Sequence, residues 1–350
     1  CTWHGSGYSR VMTGNPQIAV IADSWVKGLD GFDQDLAWEA MVKTSTREMD
    51  QDFDGLCGYF GLGTPPEYIE SGYVGHECDP TQAASMTLEI AYADFCMAQV
   101  AQSTDRFEEE ATYRERAMSY VNQWNADAGF MQSRYRSGDW VDPFDPTDTG
   151  DFNGFVEASS WIFTFFVPHD VHGLVDLMGG EAAFIAMLDR YFDDGHHDAS
   201  NQPGFHIPWL YNFVGRPAST QSAVHQLLDA NFSSSPDGLP GNDDAGAMSA
   251  WFVLASLGLY PVAPGDPAYQ ISTPLVRSAT LNLHPSFCEG DTFTIETQGD
   301  AGDVYIQSAT LNGVALDRPY ITHDEITAGG TLHLVLGPDP SDWGASNPSP

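Results

Sequence analysis

The chain has 350 residues, of which 42% are hydrophobic and 12% aromatic, so it can bury a large core in one large domain or two smaller ones. Acidic residues outnumber basic residues by 49 to 13, and the formal net charge of -36 opposes binding to the phosphate backbone of a nucleic acid. No run of about 18 apolar residues occurs, so we expect no transmembrane helix.

From about residue 20 to residue 260 the spacing of apolar residues is helical. Apolar residues at three- and four-residue spacing predict amphipathic helices over 35–49 and 86–100, with Leu36, Ala37 and Met41 on one buried stripe of the first. The other predicted helices are 106–124, 161–178, 181–193, 206–214, 219–231 and 246–258, and the count is about nine. The helix over 161–178 is apolar nearly all round, so we expect it to be deeply buried. Long loops over 50–80, 128–158 and 194–205 are the natural places for a binding site.

The pattern changes after Pro261, where short alternating runs such as "FTIET" and "TLHLVLG" are separated by Gly, Asp and Pro. This alternation is typical of antiparallel strands. The sequence therefore predicts a helical part over 1–261 and strands of a β-sandwich over 262–344. The end of the chain, including 345–350, is predicted to be an exposed tail.

Two features near the first long loop are open to two interpretations. Residues 50–55, "DQDFDG", match the front half of a calcium loop, but Gly61 stands where a bidentate Glu belongs, and an acidic surface turn is the alternative. Cys57 and Cys78 flank a glycine-rich segment, and they form either a disulfide in an oxidising compartment or a pair of buried thiols.

A polar segment follows the helix over 181–193. His197 and Asp198 precede Asn201 and Gln202, which brings an imidazole, a carboxylate and two amide oxygens together within a few residues. Oxygen donors suit a hard cation such as calcium, or sugar hydroxyl groups. The alternative is an ordinary polar loop.

Glu157 lies at the start of the most apolar segment, close in sequence to Phe152, Phe155 and Trp161. A poorly solvated carboxyl group there would keep its proton near neutral pH, as a general acid requires. The alternative is a Glu that interacts with the first amides of a helix.

The segment "GNDDAGAMSAW" places two adjacent acids, Asp243 and Asp244, in a glycine-flanked turn before a helix. One acid is enough to cap the helix. A second carboxylate, in a chain without a phosphate loop or a thiol metal motif, favours acid/base hydrolysis, of which glycoside cleavage is the main type.

Whole blocks of the sequence resemble glycoside hydrolase family 92, the calcium-dependent, inverting exo-α-mannosidases. The block over 241–281 begins "GNDDAGAMSAWFVLASLGLYP", and others in the same order begin "MTGNPQIAVIADSWVKG", "MTLEIAYADFCMAQVA", "GFMQSRYRSGDWVDPFDP", "EASSWIFTFFVPHDVHG" and "NQPGFHIPWLYNFVGRP". The resemblance covers nearly the whole chain. It implies a mainly α fold, with an (α/α)6 barrel that is incomplete here and then strands of a β-sandwich; an N-terminal β-sandwich and the first barrel helices would be the missing partners.

The resemblance also implies roles for individual residues. Glu157, four residues before Trp161, matches the general acid, and Asp244 matches the last acid of the cluster that carries the base. Asn242 stands where the family has a helper acid. Asn201 and Gln202 match the source of calcium ligands. Trp161, His169, Asp170 and His206 lie in matching blocks and are expected to line the sugar pocket, although His169 and Asp170 could equally form a buried structural pair. Arg134, His197 and Asp198 are candidates for contacts with the leaving group, and Asp243 is a further candidate for substrate binding.

The reaction implied is calcium-dependent release of mannose from N-glycans or mannans by a secreted, cell-surface or periplasmic microbial enzyme. An inverting mechanism needs room for a water molecule, so the carboxyl groups of Glu157 and Asp244 are expected to be about 6.5–9.5 Å apart. Two alternatives are a mannose-binding remnant without turnover, because Asn242 replaces an acid, and an enzyme that cleaves mannose-1-phosphodiesters.

Overall fold

The computed structural model describes residues 13–46 and 63–350. The calcium-loop candidate at 50–55 and Cys57 lie outside these residues, so the loop and the disulfide stay predictions. The chain forms two compact units: the first contains 1–180, 191–196 and 264–266, and the second contains 181–190, 197–263 and 267–350. The predicted boundary at residue 261 marks the change from helices to strands, whereas the compact units divide near Gly180.

Helices are the main regular secondary structure among the described residues up to Ser256. Their bounds are α1 Pro16–Val26, α2 Gln34–Thr46, α3 Pro66–Ser71, α4 Ala83–Ser103, α5 Phe107–Ala117, α6 Ser160–Phe163, α7 Val171–Leu177, α8 Glu181–Asp193, α9 Pro217–Asn231 and α10 Ala247–Ser256, with α11 His323–Thr327 among the later strands. Short 3-10 helices cover Met118–Gln123, Gln202–Gly204 and Ile207–Val214. The predicted helices over 86–100, 181–193, 219–231 and 246–258 therefore exist with slightly different ends.

The core of the first unit forms around α4, because small and apolar residues cover most of its circumference. Met97 and Val100 pack with Ile18 and Ala22 of α1 and with Met41 of α2. The predicted stripe on α2 is only partly buried, because Met41 is 1% exposed but Leu36 is 61% exposed.

The long buried helix predicted over 161–178 is wrong. Helix α6 ends at Phe163 and α7 begins at Val171. Pro168 lies in the gap; it has no N–H to donate and disfavours a helical conformation at the preceding residue. Asp170 then starts α7, since its side chain accepts a hydrogen bond from the N–H of Gly173. The apolar composition of this segment indicated burial, which is correct, but not a continuous helix.

Ten strands are present among the described residues. In the part that was predicted to be helical, β1 Trp124–Asn125 and β2 Phe130–Met131 pair as a small antiparallel hairpin. The others are β3 Leu259–Tyr260, β4 Ala268–Ile271, β5 Ser278–Asn282, β6 Thr292–Gln298, β7 Tyr305–Leu311, β8 Val314–Ala315, β9 Tyr320–Thr322 and β10 Gly330–Gly337. Five of these, β4 to β7 and β10, lie on the predicted alternating runs. They form a three-stranded sheet, β3-β4-β9, and a five-stranded sheet, β5-β6-β10-β7-β8. Only the β6/β10 pair of the larger sheet is parallel. Phe293, Ile295 and Leu334 alternate toward one buried cluster, as the sequence pattern predicted.

The prediction of an exposed tail is wrong for Trp343 and Ser349. Trp343 is 7% exposed and donates its indole N–H to the carbonyl of Leu316 at 2.7 Å. Ser349 is 1% exposed, and its hydroxyl contacts Oε1 of Gln270 at 2.5 Å. Side-chain hydrogen bonds and a buried aromatic ring thus hold a segment whose Pro, Ser and Gly content is typical of disorder.

Candidate active site

The turn before α10 has an unusual backbone. Asp244, Ala245 and Gly246 have φ values of 48°, 57° and 96°, so three successive residues lie in the left-handed region. Only Gly adopts this region without a steric penalty, which for other residues is about 1–2 kcal/mol each. Strain of this kind persists where surrounding contacts enforce it, and it is frequent at functional sites.

Asp243 supplies one of the contacts that enforce the turn. Its Oδ1 accepts a hydrogen bond from the N–H of Ser249 at 2.8 Å, and its backbone carbonyl accepts one from Gly246 at 3.1 Å. The carboxylate therefore satisfies one of the free N–H groups in the first turn of α10, as the capping interpretation expects. A direct role of Asp243 in substrate binding stays a prediction.

Asp244 is exposed, and both oxygens of its carboxylate accept hydrogen bonds from amide side chains. Nδ2 of Asn242 donates to Oδ1 at 2.8 Å, and Nε2 of Gln202 donates to Oδ2. Because a carboxylate is an acceptor only, the nitrogen of each amide must face Asp244. The amide oxygens of Gln202 and Asn242 are therefore directed away from Asp244, where they can act as ligands for a cation.

Gln202 reaches Asp244 from a short 3-10 helix, Gln202–Gly204, in which the N–H of Phe205 donates to the carbonyl of Gln202 at 3.0 Å. Asp198 shapes the preceding turn, since its Oδ1 accepts hydrogen bonds from both the N–H and the hydroxyl of Ser200. The predicted ligand loop and the predicted base are thus adjacent within the second unit.

Two histidines close to this loop are shielded from solvent. His206 is 5% exposed. Burial lowers the pKa of His197 to about 4, with the nearby Asp198 opposing and His206 reinforcing the shift. His197 is therefore neutral at pH 7, and a neutral imidazole has both a donor and an acceptor nitrogen with which to hold a hydroxyl group.

Glu157 belongs to the first unit and has a φ of 51°, so the two predicted catalytic acids share a left-handed backbone. Its side chain is exposed, and Phe152 is 70% exposed, so the predicted apolar setting is wrong for these two residues. Phe155 and Trp161 are buried as expected. The flanking backbone is well fixed, because the N–H of Val156 donates to the hydroxyl of Ser85 at 3.1 Å.

Trp161 is 2% exposed and lies between other rings. The imidazole of His196 stacks on it with 4.2 Å between ring centroids and 13° between planes, and Phe130 meets it edge-on at 4.8 Å. His196 thus covers one face of the indole, and a contact between Trp161 and a sugar stays a prediction.

His169 and Asp170 both form hydrogen bonds with protein groups, although Nδ1 of His169 is buried and has no hydrogen-bond partner among the described residues. Nε2 of His169 lies 3.0 Å from the carbonyl of Ala117 and must carry the ring proton, since that oxygen can only accept. Burial lowers the pKa of His169 to about 4. Asp170 accepts hydrogen bonds from the hydroxyl of Tyr120 at 2.5 Å and from the N–H of Gly173 at 3.0 Å. The geometry favours the structural alternative for this pair.

Arg134 is also held by protein groups. Its guanidinium donates to the carbonyls of Asn122 and Gly138 at 3.1 and 2.9 Å and lies over the rings of Tyr73 and Trp140. These contacts close the loop over residues 134–140. The predicted contact of Arg134 with a leaving group has not been tested.

The second unit thus joins Gln202, Asn242, Asp243 and Asp244, and the first contains Glu157, Trp161, His169, Asp170 and Arg134. No measured distance connects the two predicted acids, so their separation stays a prediction. Among residues 13–46 and 63–350, no group of three or more His, Cys, Asp or Glu residues is arranged to hold a metal ion. The sequence did not reveal that Gln202 donates to Asp244, because the two residues are 42 positions apart in the chain. Asn242 is only two positions from Asp244, and its donation was also not predicted.

A cavity of about 600 Å³ lies elsewhere in the second unit, on the strand-rich part, and Arg318, Tyr320 and Glu325 are among the residues that line it. Arg318 stacks over Tyr320 and forms an ion pair with Glu325. None of the predicted site residues lines this cavity.

Comparison with protein families gives a match over residues 2–338 to the catalytic domain of glycosyl hydrolase family 92. An uncharacterized secreted glycosidase of Arthroderma benhamiae is 33% identical; the match covers 95% of this chain and 46% of the relative. The chain therefore spans about half the length of that relative. No single helix among the described residues is long and apolar enough to cross a membrane. Val171–Leu177 and Glu181–Asp193 have that length and composition only when they are taken together, and they are bent by 99°.

Two solved structures show the same fold. A family 92 inverting mannosidase of Bacteroides thetaiotaomicron has a TM-score of 0.88 and 33% identity, over 99% of this chain and 49% of that one. A family 92 α-mannosidase of the same species, in complex with mannoimidazole, has a TM-score of 0.87 and 29% identity, over 97% of this chain and 46% of that one.

Proposed function

Because the chain belongs to glycosyl hydrolase family 92, we propose that it is the C-terminal part of the catalytic region of an inverting, calcium-dependent exo-α-mannosidase that releases mannose from N-glycans or mannans. The observation that carries the proposal is the strained turn that presents Asp244 with both carboxylate oxygens held by amide N–H groups. The names of the relatives support an α-mannoside substrate and a secreted protein. An (α/α)6 barrel, completed by residues outside this sequence, is part of the same proposal.

Asp244 is the proposed general base. Two amide donors, the side chains of Asn242 and Gln202, hold its carboxylate. They restrict rotation of the carboxylate, so that it can orient a water molecule toward the anomeric carbon. That water attacks from one side of the sugar ring while the leaving oxygen departs on the other.

Glu157 is the proposed general acid, which protonates the leaving oxygen. Its exposed carboxyl group is accessible to a substrate. His197, neutral and next to the ligand loop, is proposed to hold a sugar hydroxyl group.

Oxygen donors from Asn201 and Gln202 are the proposed calcium ligands in this chain. The fit rests on the orientation of Gln202: its nitrogen faces Asp244, which leaves its oxygen free for a hard cation. Bound calcium would supply positive charge that holds two sugar hydroxyl groups and favours a flattened ring.

The test is mannose release from an α-1,2-linked mannobiose, followed by proton NMR, with the full-length polypeptide that contains this chain. The experiment is run with calcium and with excess EDTA. We expect β-mannose to appear first and its release to stop on chelation. If α-mannose is the first product, the inverting mechanism is wrong; if no sugar is released while mannose still binds, the protein is a mannose-binding remnant. Release only from mannose-1-phosphodiesters would support the mannose-1-phosphodiester alternative.

A further inference from the structure

One side chain connects the loop that carries Gln202 with the helix that follows Asp244. The indole N–H of Trp251, in α10, donates a hydrogen bond of 2.9 Å to the carbonyl of Phe205. Both residues are buried, with exposed fractions of 5% and 7%. The bond joins positions 46 residues apart within the second unit.

The carbonyl of Phe205 needs this donor for a reason that is visible in the sequence. In a 3-10 helix a carbonyl accepts from the N–H three residues later, but that residue is Pro208, which has none. The next N–H in the chain, that of Trp209, donates to the carbonyl of His206 at 3.0 Å. A buried carbonyl without a donor is unfavourable, so the indole of Trp251 fills a place that the local backbone leaves empty.

The indole itself is held in its orientation. Phe232 stacks on Trp251 with 5.5 Å between ring centroids and 16° between planes. Two residues before Trp251, the N–H of Ser249 is bound by Asp243, so the same helical turn that carries the indole is fixed to the turn that presents Asp244. On the other side, the N–H of Phe205 donates to the carbonyl of Gln202, whose amide reaches Asp244.

We propose that Trp251 is a positioning residue: by fixing the Phe205 carbonyl it holds Gln202 in place on the carboxylate of Asp244. It contacts neither proposed substrate nor reacting atoms, and acts through the Phe205 backbone. The inference rests on the proposed function, because it takes Asp244 to be the base.

The structure offers a matched control. Trp209 is fully buried and stacks on Tyr260 with 5.4 Å between centroids and 14° between planes, but its indole N–H has no hydrogen-bond partner in the described part of the chain. Trp251→Phe and Trp209→Phe therefore remove the same atoms from two stacked, buried indoles, and only the first removes a donor that fixes the loop.

The experiment compares the two variants in the full-length polypeptide by amide hydrogen exchange of residues 201–206 and by kcat and KM on an α-mannoside. We expect Trp251→Phe to accelerate exchange in 201–206 and to lower kcat about tenfold, equivalent to ~1.4 kcal/mol, with KM changed less than kcat. Trp209→Phe is expected to change neither exchange in that segment nor kcat beyond about twofold.

Equal effects of the two variants on exchange and on kcat would overturn the proposal, and so would faster exchange in Trp251→Phe with kcat unchanged. If wild-type protein cleaves no α-mannoside, the proposed function fails, and the exchange comparison still decides whether Trp251 fixes the loop. If Trp251→Phe does not fold, Phe232→Leu loosens the indole while keeping its N–H; unchanged exchange in 201–206 then counts against the proposal.

Discussion

Two aspartates, Asp94 in the first unit and Asp244 in the second, show how differently this protein uses a carboxylate. Asp94 is 1% exposed. Its Oδ2 accepts hydrogen bonds from Nε of Arg116 and from the hydroxyl of Tyr68, both at 3.0 Å, and its Oδ1 lies 2.9 Å from a guanidinium nitrogen of Arg116 as an ion pair. Asp244 is exposed, lies on a left-handed backbone and is held by neutral amides. Asp94 joins α4 to α5 and to α3, whereas the side chain of Asp244 is open to solvent.

The comparison teaches that partners and backbone strain distinguish the proposed base, Asp244, from the structural acid, Asp94. Burial raises the pKa of Asp94 to about 7 although Arg116 opposes the shift. A perturbed pKa in this protein therefore also occurs at an acid that joins helices, and by itself it does not identify a catalytic group.

The largest expected effect comes from Asp244→Asn. Loss of the base should lower kcat about a thousandfold, ~4 kcal/mol, while the unfolding midpoint stays near that of wild type, because the side chain is exposed. Steady-state kinetics and thermal unfolding on the same preparation check both parts. An active Asp244→Asn variant would remove Asp244 from the mechanism.

Asp94→Ala should show the opposite pattern. It leaves Arg116, whose side chain is 16% exposed, without its carboxylate, and we expect the free energy of unfolding to fall by about 3 kcal/mol. Activity per folded molecule should stay within about twofold of wild type. Urea denaturation measures the first quantity; unchanged stability would show that Asp94 does not support the fold.

His169→Phe extends the comparison to a buried base. With a folded pKa of about 4, against an ordinary value near 6.5, His169 binds fewer protons in the folded state between these values, so its contribution to stability is present above about pH 6.5 and is lost as pH falls toward 4. Phe cannot titrate, so the loss of stability between pH 7 and pH 5 should shrink by about 1–2 kcal/mol.

Urea denaturation at the two pH values checks this prediction. The pKa of His197 is also lowered to about 4, so His197 still makes the stability of the His169→Phe variant depend on pH. An identical pH dependence in wild type and His169→Phe would show that His169 is not the titrating group.

The smallest effect is expected for Asp243→Ala. This change removes the acceptor of the Ser249 N–H and should lower the free energy of unfolding by about 1 kcal/mol, as loss of a helix cap does. Since the turn then presents Asp244 less rigidly, kcat should fall only severalfold. A fall in kcat as large as that of Asp244→Asn would assign the catalytic role to Asp243 instead.

Much of the secondary structure followed from local patterns. Helix α4 and strands β4 to β7 and β10 lie within a few residues of the predicted segments, because apolar periodicity reports directly on which face is buried. The helix predicted over 161–178 was wrong because a high hydrophobic content does not compensate for the helix-breaking effect of Pro168. The tail failed because its anchors, Leu316 and Gln270, are distant in the chain.

The sequence by itself determined the family, the change from helices to strands near residue 260 and the identity of Glu157, Asp244, Asn201 and Gln202 as candidates, since these depend on residue order and local spacing. Only the tertiary structure decided that Gln202 and Asn242 hold Asp244, that Trp251 holds Phe205, and that Glu157 and Asp244 share a left-handed backbone. The bonds of Gln202 with Asp244 and of Trp251 with Phe205 join residues 42 and 46 positions apart. They depend on how the chain folds back on itself, and a sequence pattern with a period of a few residues carries no information about them.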